Sequence, residues 1–328
     1  MTFEDLNWDI LDRLRATFLQ GKPARKAYWR SIEDLAHYDV TFGERIGWKW
    51  DAVLGELGRL SWSPPEGVNH LIDWGCGSGI AGRRMLQAFP ALQTLSVFDH
   101  SPQAVAFAAA RARAERPGID VRESMHPPLL KDSMVVLSHV ANELTPAATD
   151  ALLEALPTAT VILWVEPGTH EAGRCLQAVR ARLLDRFDAV APCTHQGPCP
   201  LLAINQERHW CHHFARPPGR VFTDGNWIRF ARRAGVDLRS LPYSYIVLVA
   251  RGAQAGSTMP PPRSRVLGRA QLDKSSAMLR TCGRGGYGEV RFHKRLHPDV
   301  FAALKRDPGA LSTILDPKNG SWPGASVR

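Results

Sequence analysis

Apolar and polar positions change period repeatedly between residues 70 and 250. HLIDW (residues 70–74), TLSVFD (94–99), MVVLS (134–138) and TVILWVEP (160–167) are near-continuous apolar runs of strand length. Between them, IAGRRMLQAF, AVAFAAARARAE and TPAATDALLEAL carry apolar residues at helical spacing, and Ser101-Pro102 and Thr145-Pro146 set a capping hydroxyl before a first-turn proline. The same reading places a helix from about Glu171 to Phe187, a helix through WIRFARRAG capped by Thr223, and a late strand, SYIVLVA, from Ser244 to Ala250. Strand and helix alternating in this rhythm predict an α/β fold with a doubly wound, mainly parallel sheet.

Composition shifts divide the chain. Residues 1–65 are expected to form an N-terminal helical region, 66–252 the α/β domain with a Cys-rich loop at 190–214, and 253–264, within GAQAGSTMPPPRS, a linker. Beyond it, RVLGRA, AMLRTC and EVRFHKR read as short strands and DVFAALKR as a short helix, giving a strand-rich segment over 265–306. The Gly/Pro/Ser-containing tail, 307–328, is expected to be disordered. Charge sharpens this division. Between Arg251 and Arg306 twelve Lys and Arg stand against Asp273, Glu289 and Asp299, an excess equal to the +9 of the whole chain. A basic segment beside a near-neutral body points to a polyanionic partner, most simply nucleic acid. With Glu4, Asp5, Asp9 and Asp12 near its start, the chain does not open like a transit peptide, and no apolar stretch approaches the roughly 18 residues of a membrane span. The expectation is a monomeric cytoplasmic protein with no membrane partner.

The strongest cofactor signal is DWGCGSG, Asp73 to Gly79, between the first strand and its helix. Gly75, Gly77 and Gly79 allow a tight turn that brings backbone N–H groups and a helix N-terminus to a ligand. Asp99 ends the second strand twenty residues later, where a carboxylate can accept both hydroxyls of a ribose. G-x-G-x-G preceded by Asp73 resembles the S-adenosylmethionine methyltransferases more than the dinucleotide enzymes; Asp73 is then expected to hold the methionine amino group, directly or through water. The Asp/Asn-Pro-Pro-aromatic tetrad of many base-nitrogen methyltransferases is replaced by SHVANEL. His139, Asn142 and Glu143 in that stretch are placed either to contact cofactor or substrate or only to cap the next helix, so no catalytic residue is assigned.

A second chemistry lies in APCTHQGPCPLLAINQERHWCHHF, Ala191 to Phe214. Cys193, Cys199 and Cys211 sit in a polar, Pro-stiffened loop, poor surroundings for core filler, and a fourth ligand would close a tetrahedral set. Zinc could take His195, His212 or His213; an iron–sulfur cluster would prefer Cys282, in LRTCGRGG. Spacing alone leaves both metals open. Cys76, in the glycine loop, and Cys175, on a helix, read as packing.

LIDWGCGSG, MVVLSHVANEL, VEPGTHEAGRCLQAVRARLL, APCTHQGPCPL, HWCHHF and SYIVL, in that order over roughly residues 70–295, resemble the mitochondrial small-ribosomal-subunit methyltransferase-like family and its bacterial relatives. The resemblance implies a class I methyltransferase fold, association with small-subunit rRNA during assembly of the small ribosomal subunit, and a [4Fe–4S] cluster held by Cys193, Cys199, Cys211 and Cys282. It leaves methyl transfer itself open. With that partner, Arg263, Arg265, Arg269, Arg280, Arg284, Arg291, Lys294 and Arg295 of the basic segment are expected to lie on a surface facing rRNA phosphate. The alternative is a small-molecule methyltransferase with structural zinc.

Overall fold

A computed structural model describes residues 3–19, 29–253, 263–309, 311–315 and 325–327. The chain divides into two compact units, Met1–Glu166 with Ala215–Leu241, and Pro167–Phe214 with Pro242–Arg328.

In the first unit, five strands, β1 (His70–Trp74), β2 (Thr94–Phe98), β3 (Asp120–Ser124), β4 (Met134–Ser138) and β5 (Val161–Pro167), pair in parallel in the order β3-β2-β1-β4-β5. Leu71, Ile72, Val135, Val136, Ile162 and Leu163 are fully buried, which is why these strands read as unbroken apolar runs and not as alternating ones. The winding direction reverses between β1 and β4. The carboxyl ends of these strands are therefore where a doubly wound sheet opens a ligand crevice.

The helices of this unit are α1 (Trp8–Leu19), α2 (Ile32–Tyr38), α3 (Glu44–Arg59), α4 (Ile80–Ala88), α5 (Pro102–Glu115), α6 (Pro146–Ala155) and α8 (Gly225–Ala234), with a π-helical turn, Asp39–Gly43, joining α2 to α3. Helix α4 packs on β1 and β4, α5 on β2 and β3, α2 on α5, and α3 on α4. Ser101 and Thr145 cap α5 and α6 as expected, accepting from Ala104 N and Ala148 N. Helix α8 departs from expectation. Asp224, not Thr223, accepts from the free N–H of Asn226, at 2.8 Å, while the Thr223 hydroxyl donates to Arg220 O in the preceding turn. Trp48 against Trp227 and Phe42 against Phe230 seat the N-terminal helices on α8.

The second unit contains α7 (His170–Leu183), β6 (Phe187–Ala191), β7 (His213–Ala215) and β8 (Leu241–Ala250), with β6 antiparallel to β8. The helix expected to run to Phe187 ends at Leu183, because Phe187, Ala189 and Ala191 turn inward at strand period. A separate antiparallel sheet follows: β9 (Arg263–Leu272), β10 (Ser276–Gly283), β11 (Gly286–His293), β12 (Leu311–Leu315) and β13 (Ala325–Val327), ordered β11-β10-β9-β12-β13. Helix α9 (Pro298–Arg306) contributes Phe301 and Leu304 to a core shared with Val266, Ala277, Leu279 and Phe292. Two of these strands fall in the tail expected to be disordered, and residues 254–262 of the expected linker lie outside the described residues. Among the described residues no helix is long and apolar enough to cross a membrane.

Candidate functional site

The glycine loop leaves β1 and is fixed at once to β2: Gly75 N and Cys76 N both donate to Phe98 O, at 2.8 and 2.9 Å. Gly75 has φ +73°, and a Cβ there would stand 2.6 Å from Val140 Cγ1. Gly79, at φ +75°, begins α4 where a Cβ would meet Ala108 Cβ at 2.8 Å. Only glycine satisfies both the conformation and the space. Asp99 closes the turn from the other side. Its Oδ2 accepts from Gly77 N at 3.0 Å and its Oδ1 from Ser101 N at 2.9 Å. A carboxylate has about four acceptor sites, so each oxygen keeps capacity for a hydroxyl.

A cavity of about 400 Å³ opens here, lined by Gly75, Gly77, Asp99 and His139 among others. Asp73 and Gly79 do not line it. Asp73 lies 1% exposed beneath the loop, where its Oδ2 accepts from Gly82 N at 3.0 Å and its Oδ1 has no partner. Burial pushes its carboxyl up to about 7.

Sequence reasoning gave the N-terminal helices no role, yet Phe18, Trp29, Tyr38 and Ile46 form one wall of the cavity. A buried ion pair fixes this wall to the loop: Arg83 Nη2 donates to Asp39 Oδ1 at 2.7 Å and Nη1 to Ser78 O at 2.6 Å. The dense aromatics of KAYWRSIEDLAHYDVTF were the available signal.

Opposite, the segment after β4 brings His139, Val140, Glu143 and Leu144 to the cavity. Beneath it stand Lys49, 8% exposed, and Glu166, fully buried. Lys49 Nζ is 3.2 Å from His139 Nε2. Burial, then the charge of Arg45, brings Lys49 down to about 7, while Glu166 pulls it back up. Neither Lys49 nor Glu166 was a candidate from sequence.

The four cysteines of the expected cluster converge inside the second unit. The ionised form of Cys211 feels Cys193, Cys282 and Cys199, and that of Cys282 feels Cys193 and Cys199. Burial is the largest cause of the raised thiols: Cys193 and Cys211 are pushed up, and Cys282 reaches about 12. All four are free of disulfides. Two guanidiniums are buried against them. Arg180, 2% exposed, donates from Nη2 to the carbonyls of His195 and Gly197, while its Nε and Nη1 lack a nitrogen or oxygen acceptor. Its charge and hydrogen bond bear on Cys193.

Arg265, 4% exposed, donates to Pro192 O at 2.7 Å. It was expected on a phosphate-facing surface; it is a buried cation beside the thiols, because β9 turns it inward opposite Cys282. Of the zinc candidates, His213 is near, with Nε2 at 3.6 Å from Cys211 Sγ, whereas His212 stacks on Trp210. His195 is half-buried and feels Arg180 and Arg284. Among the described residues no group of three or more His, Cys, Asp or Glu side chains is set to hold a metal ion. Four thiols and two buried guanidiniums, Arg180 and Arg265, are what this part of the structure offers a metal.

Arg269, Arg284, Arg291, Lys294 and Arg295 are exposed on the antiparallel sheet and its turns, Arg269 lying 4.1 Å over the Phe214 ring, and Arg280 is half-buried. The Arg263 side chain lies outside the described residues.

The family described as mitochondrial small ribosomal subunit Rsm22 matches residues 44–307. A search of curated proteins finds no match. Among solved structures, the N-methyltransferase NodS of Bradyrhizobium japonicum with bound S-adenosyl-L-homocysteine is 13% identical at TM-score 0.39, covering 72% of this chain and 98% of that one. The magnesium protoporphyrin IX methyltransferase of Synechocystis, with the same ligand, is 12% identical at TM-score 0.39, covering 73% and 93%. A methyltransferase of Geobacter sulfurreducens is 16% identical at TM-score 0.35, covering 60% and 90%. Likenesses this distant carry no argument about chemistry.

Proposed function

Because the chain belongs to the family described as mitochondrial small ribosomal subunit Rsm22, we propose that it binds S-adenosylmethionine and small-subunit rRNA, holds a [4Fe–4S] cluster, and acts on the small ribosomal subunit as an rRNA methyltransferase. One observation carries the cofactor reading: a single cavity brings together the Gly75 and Gly77 backbone, Asp99 and the segment after β4 at the switch point of a parallel sheet. Asp99 would take the ribose hydroxyls, and the aromatic wall of Phe18, Trp29 and Tyr38 would exclude water from the bound nucleoside. S-adenosylmethionine supplies, when bound, a methyl group on a positively charged sulfur. The protein's part is then to hold an acceptor in line with it, worth several kcal/mol through positioning alone.

Cys193, Cys199, Cys211 and Cys282 would hold the cluster, joining the loop after β6 to β10. The role is structural. The exposed arginines and lysines of the second unit would meet rRNA phosphate with little base readout.

Two measurements test this reading. Asp99→Ala should weaken S-adenosylmethionine binding at least tenfold by calorimetry and leave rRNA binding unchanged; unchanged cofactor affinity removes the cavity from the account. Anaerobically purified protein should contain iron and sulfide; zinc in their place supports the small-molecule alternative, which loss of rRNA binding at moderate salt would strengthen.

A further inference from the structure

Where the base-nitrogen enzymes place their Pro-Pro-aromatic clamp, this chain builds a buried network of ionisable side chains. His139 follows β4 directly and is held at φ +60°, a conformation that costs a non-glycine residue energy. Three sets of bonds fix it there. His139 N donates to Val165 O at 2.8 Å, and Trp50 Nε1 donates to Ser138 Oγ at 3.0 Å just before it. Just after it, Glu166 Oε1 accepts from Val140 N, Ala141 N and Trp164 Nε1, at 3.0, 2.9 and 2.6 Å. Lys49 Nζ meets His139 Nε2 at 3.2 Å, so Nδ1 is the ring nitrogen not engaged by Lys49, on a residue that lines the cavity. Glu166 Oε2 is buried without a hydrogen-bond partner, and its charge acts on Lys49. A strained histidine, a buried lysine and a buried carboxylate are costly in a wall that only shapes a pocket.

We propose that His139 is the catalytic proton acceptor for an N–H or O–H methyl acceptor in this cavity, and that Lys49 and Glu166 are positioning residues that receive and stabilise the proton. The inference rests on the methyl-transfer reading. The acceptor's lone pair forms the new C–N or C–O bond as the C–S bond breaks onto sulfur, leaving a neutral thioether. The acceptor's proton goes to His139 Nδ1; the proton on Nε2 passes to Lys49 Nζ, which ends as an ammonium near the Glu166 carboxylate. Charge balances, since the positive charge lost by sulfur reappears on Lys49.

The environment suits this traffic. Burial and the Lys49 charge hold His139 well below its ordinary range, and Lys49 and Glu166 both lie near 7. Arg45 opposes protonation of Lys49 from the same helix, and Glu143 lines the cavity on the His139 side. A shared proton belongs to the network and not to one residue. The basic form accumulates as pH rises, so the rate should rise through about pH 7.

The test uses the full chain purified anaerobically, small-subunit rRNA as acceptor probe, and single-turnover release of S-adenosylhomocysteine between pH 5.5 and 9. His139→Gln should lose at least about 100-fold, the usual span of a general base, with cofactor affinity unchanged. Lys49→Met should lose rate and move the pH limb below 7, because the titrating group is then the imidazole, which burial alone still holds below its ordinary range; Lys49→Arg should not restore it, since a guanidinium cannot give up its proton. A His139→Gln rate within threefold of wild type, or a Lys49→Met limb still at 7, overturns the relay while methyl transfer stands. Wild-type protein that binds cofactor and rRNA but releases no product overturns methyl transfer and the relay with it. NMR of the wild-type lysine side chains gives a readout that needs no variant: Lys49 should titrate near 7, and a midpoint near 10.4, the model-peptide value, overturns the relay.

Discussion

At the scale of single residues, the glycine loop rests on a carboxyl group that is expensive to ionise. Asp73 is pushed up to about 7, foremost by burial, although Gly82 N and Arg83 favour its charged form. Its unfolded value lies near 3.9. Between these two values the native protein keeps a proton that the unfolded chain has released, so stability falls as pH rises across that window and is level above it. Glu166 contributes in the same sense over the same window. Asp73→Asn isolates the first share: an amide can still accept from Gly82 N and carries no charge. The variant should match wild type near pH 4 and gain on it up to pH 7, by at most about 4 kcal/mol at ~1.4 kcal/mol per pKa unit. Urea unfolding at four pH values measures the difference, and a constant offset would place the ionisation of Asp73 elsewhere. Asp73 and Asp99 were visible in the sequence because a glycine loop after a strand has fixed carboxylate positions. Lys49 and Glu166 were not. One stands in an amphipathic helix and the other ends an apolar strand, and only the fold sets both beside His139.

At the scale of elements, legibility followed burial. Strands β1, β2, β4 and β5 were plain from their apolar runs, whereas β3, Asp-Val-Arg-Glu-Ser, went unread because an exposed edge strand carries no apolar period. Strand β6 went unread, its first residue, Phe187, being taken into the preceding helix whose spacing it extends by one more turn. Caps were legible where a proline followed the hydroxyl; without one, the cap of α8 was misplaced by one residue and Thr169 of α7 went unread. Ser101 carries more than its cap. Its Oγ accepts from Ala104 N at 3.3 Å and its N–H donates to Asp99 Oδ1 at 2.9 Å, so the start of α5 and the Asp99 carboxylate are oriented together. Ser101→Ala removes that cap and the 3.0 Å bond its hydroxyl donates to Gln103 Oε1 but keeps the N–H to Asp99, and should cost about 1 kcal/mol of stability with cofactor affinity within twofold of wild type. Ser101→Pro removes the backbone donor as well and should weaken S-adenosylmethionine binding by calorimetry; equal affinities for the two variants would separate Asp99 from that N–H.

At the scale of the whole molecule, the basic excess has two destinations that composition could not separate. Arg265 was counted with the surface and lies buried with Arg180 beside four thiols, whereas Arg284, Lys294 and Arg295 are exposed on the antiparallel sheet and the turns that follow it. Buried and exposed cations predict different failures. Replacing both Arg180 and Arg265 with Met removes the positive charges that would offset the proposed doubly negative cluster, so iron content should fall, and Cys193, Cys211 and Cys282, already raised by burial, should become harder still to ionise. Replacing Arg284, Lys294 and Arg295 with Gln should leave iron content unchanged. These three side chains would act through released counterions, each phosphate contact adding roughly 0.7 to 0.9 to the slope of log affinity against log salt. The triple variant should therefore bind small-subunit rRNA more weakly at low salt, with a slope shallower by about 2 when filter binding is run from 50 to 300 mM KCl. An unchanged slope would remove this face from the rRNA contact. If the arginine-to-methionine pair kept its iron and lost rRNA instead, the two groups of cations would have exchanged the roles their burial assigns them.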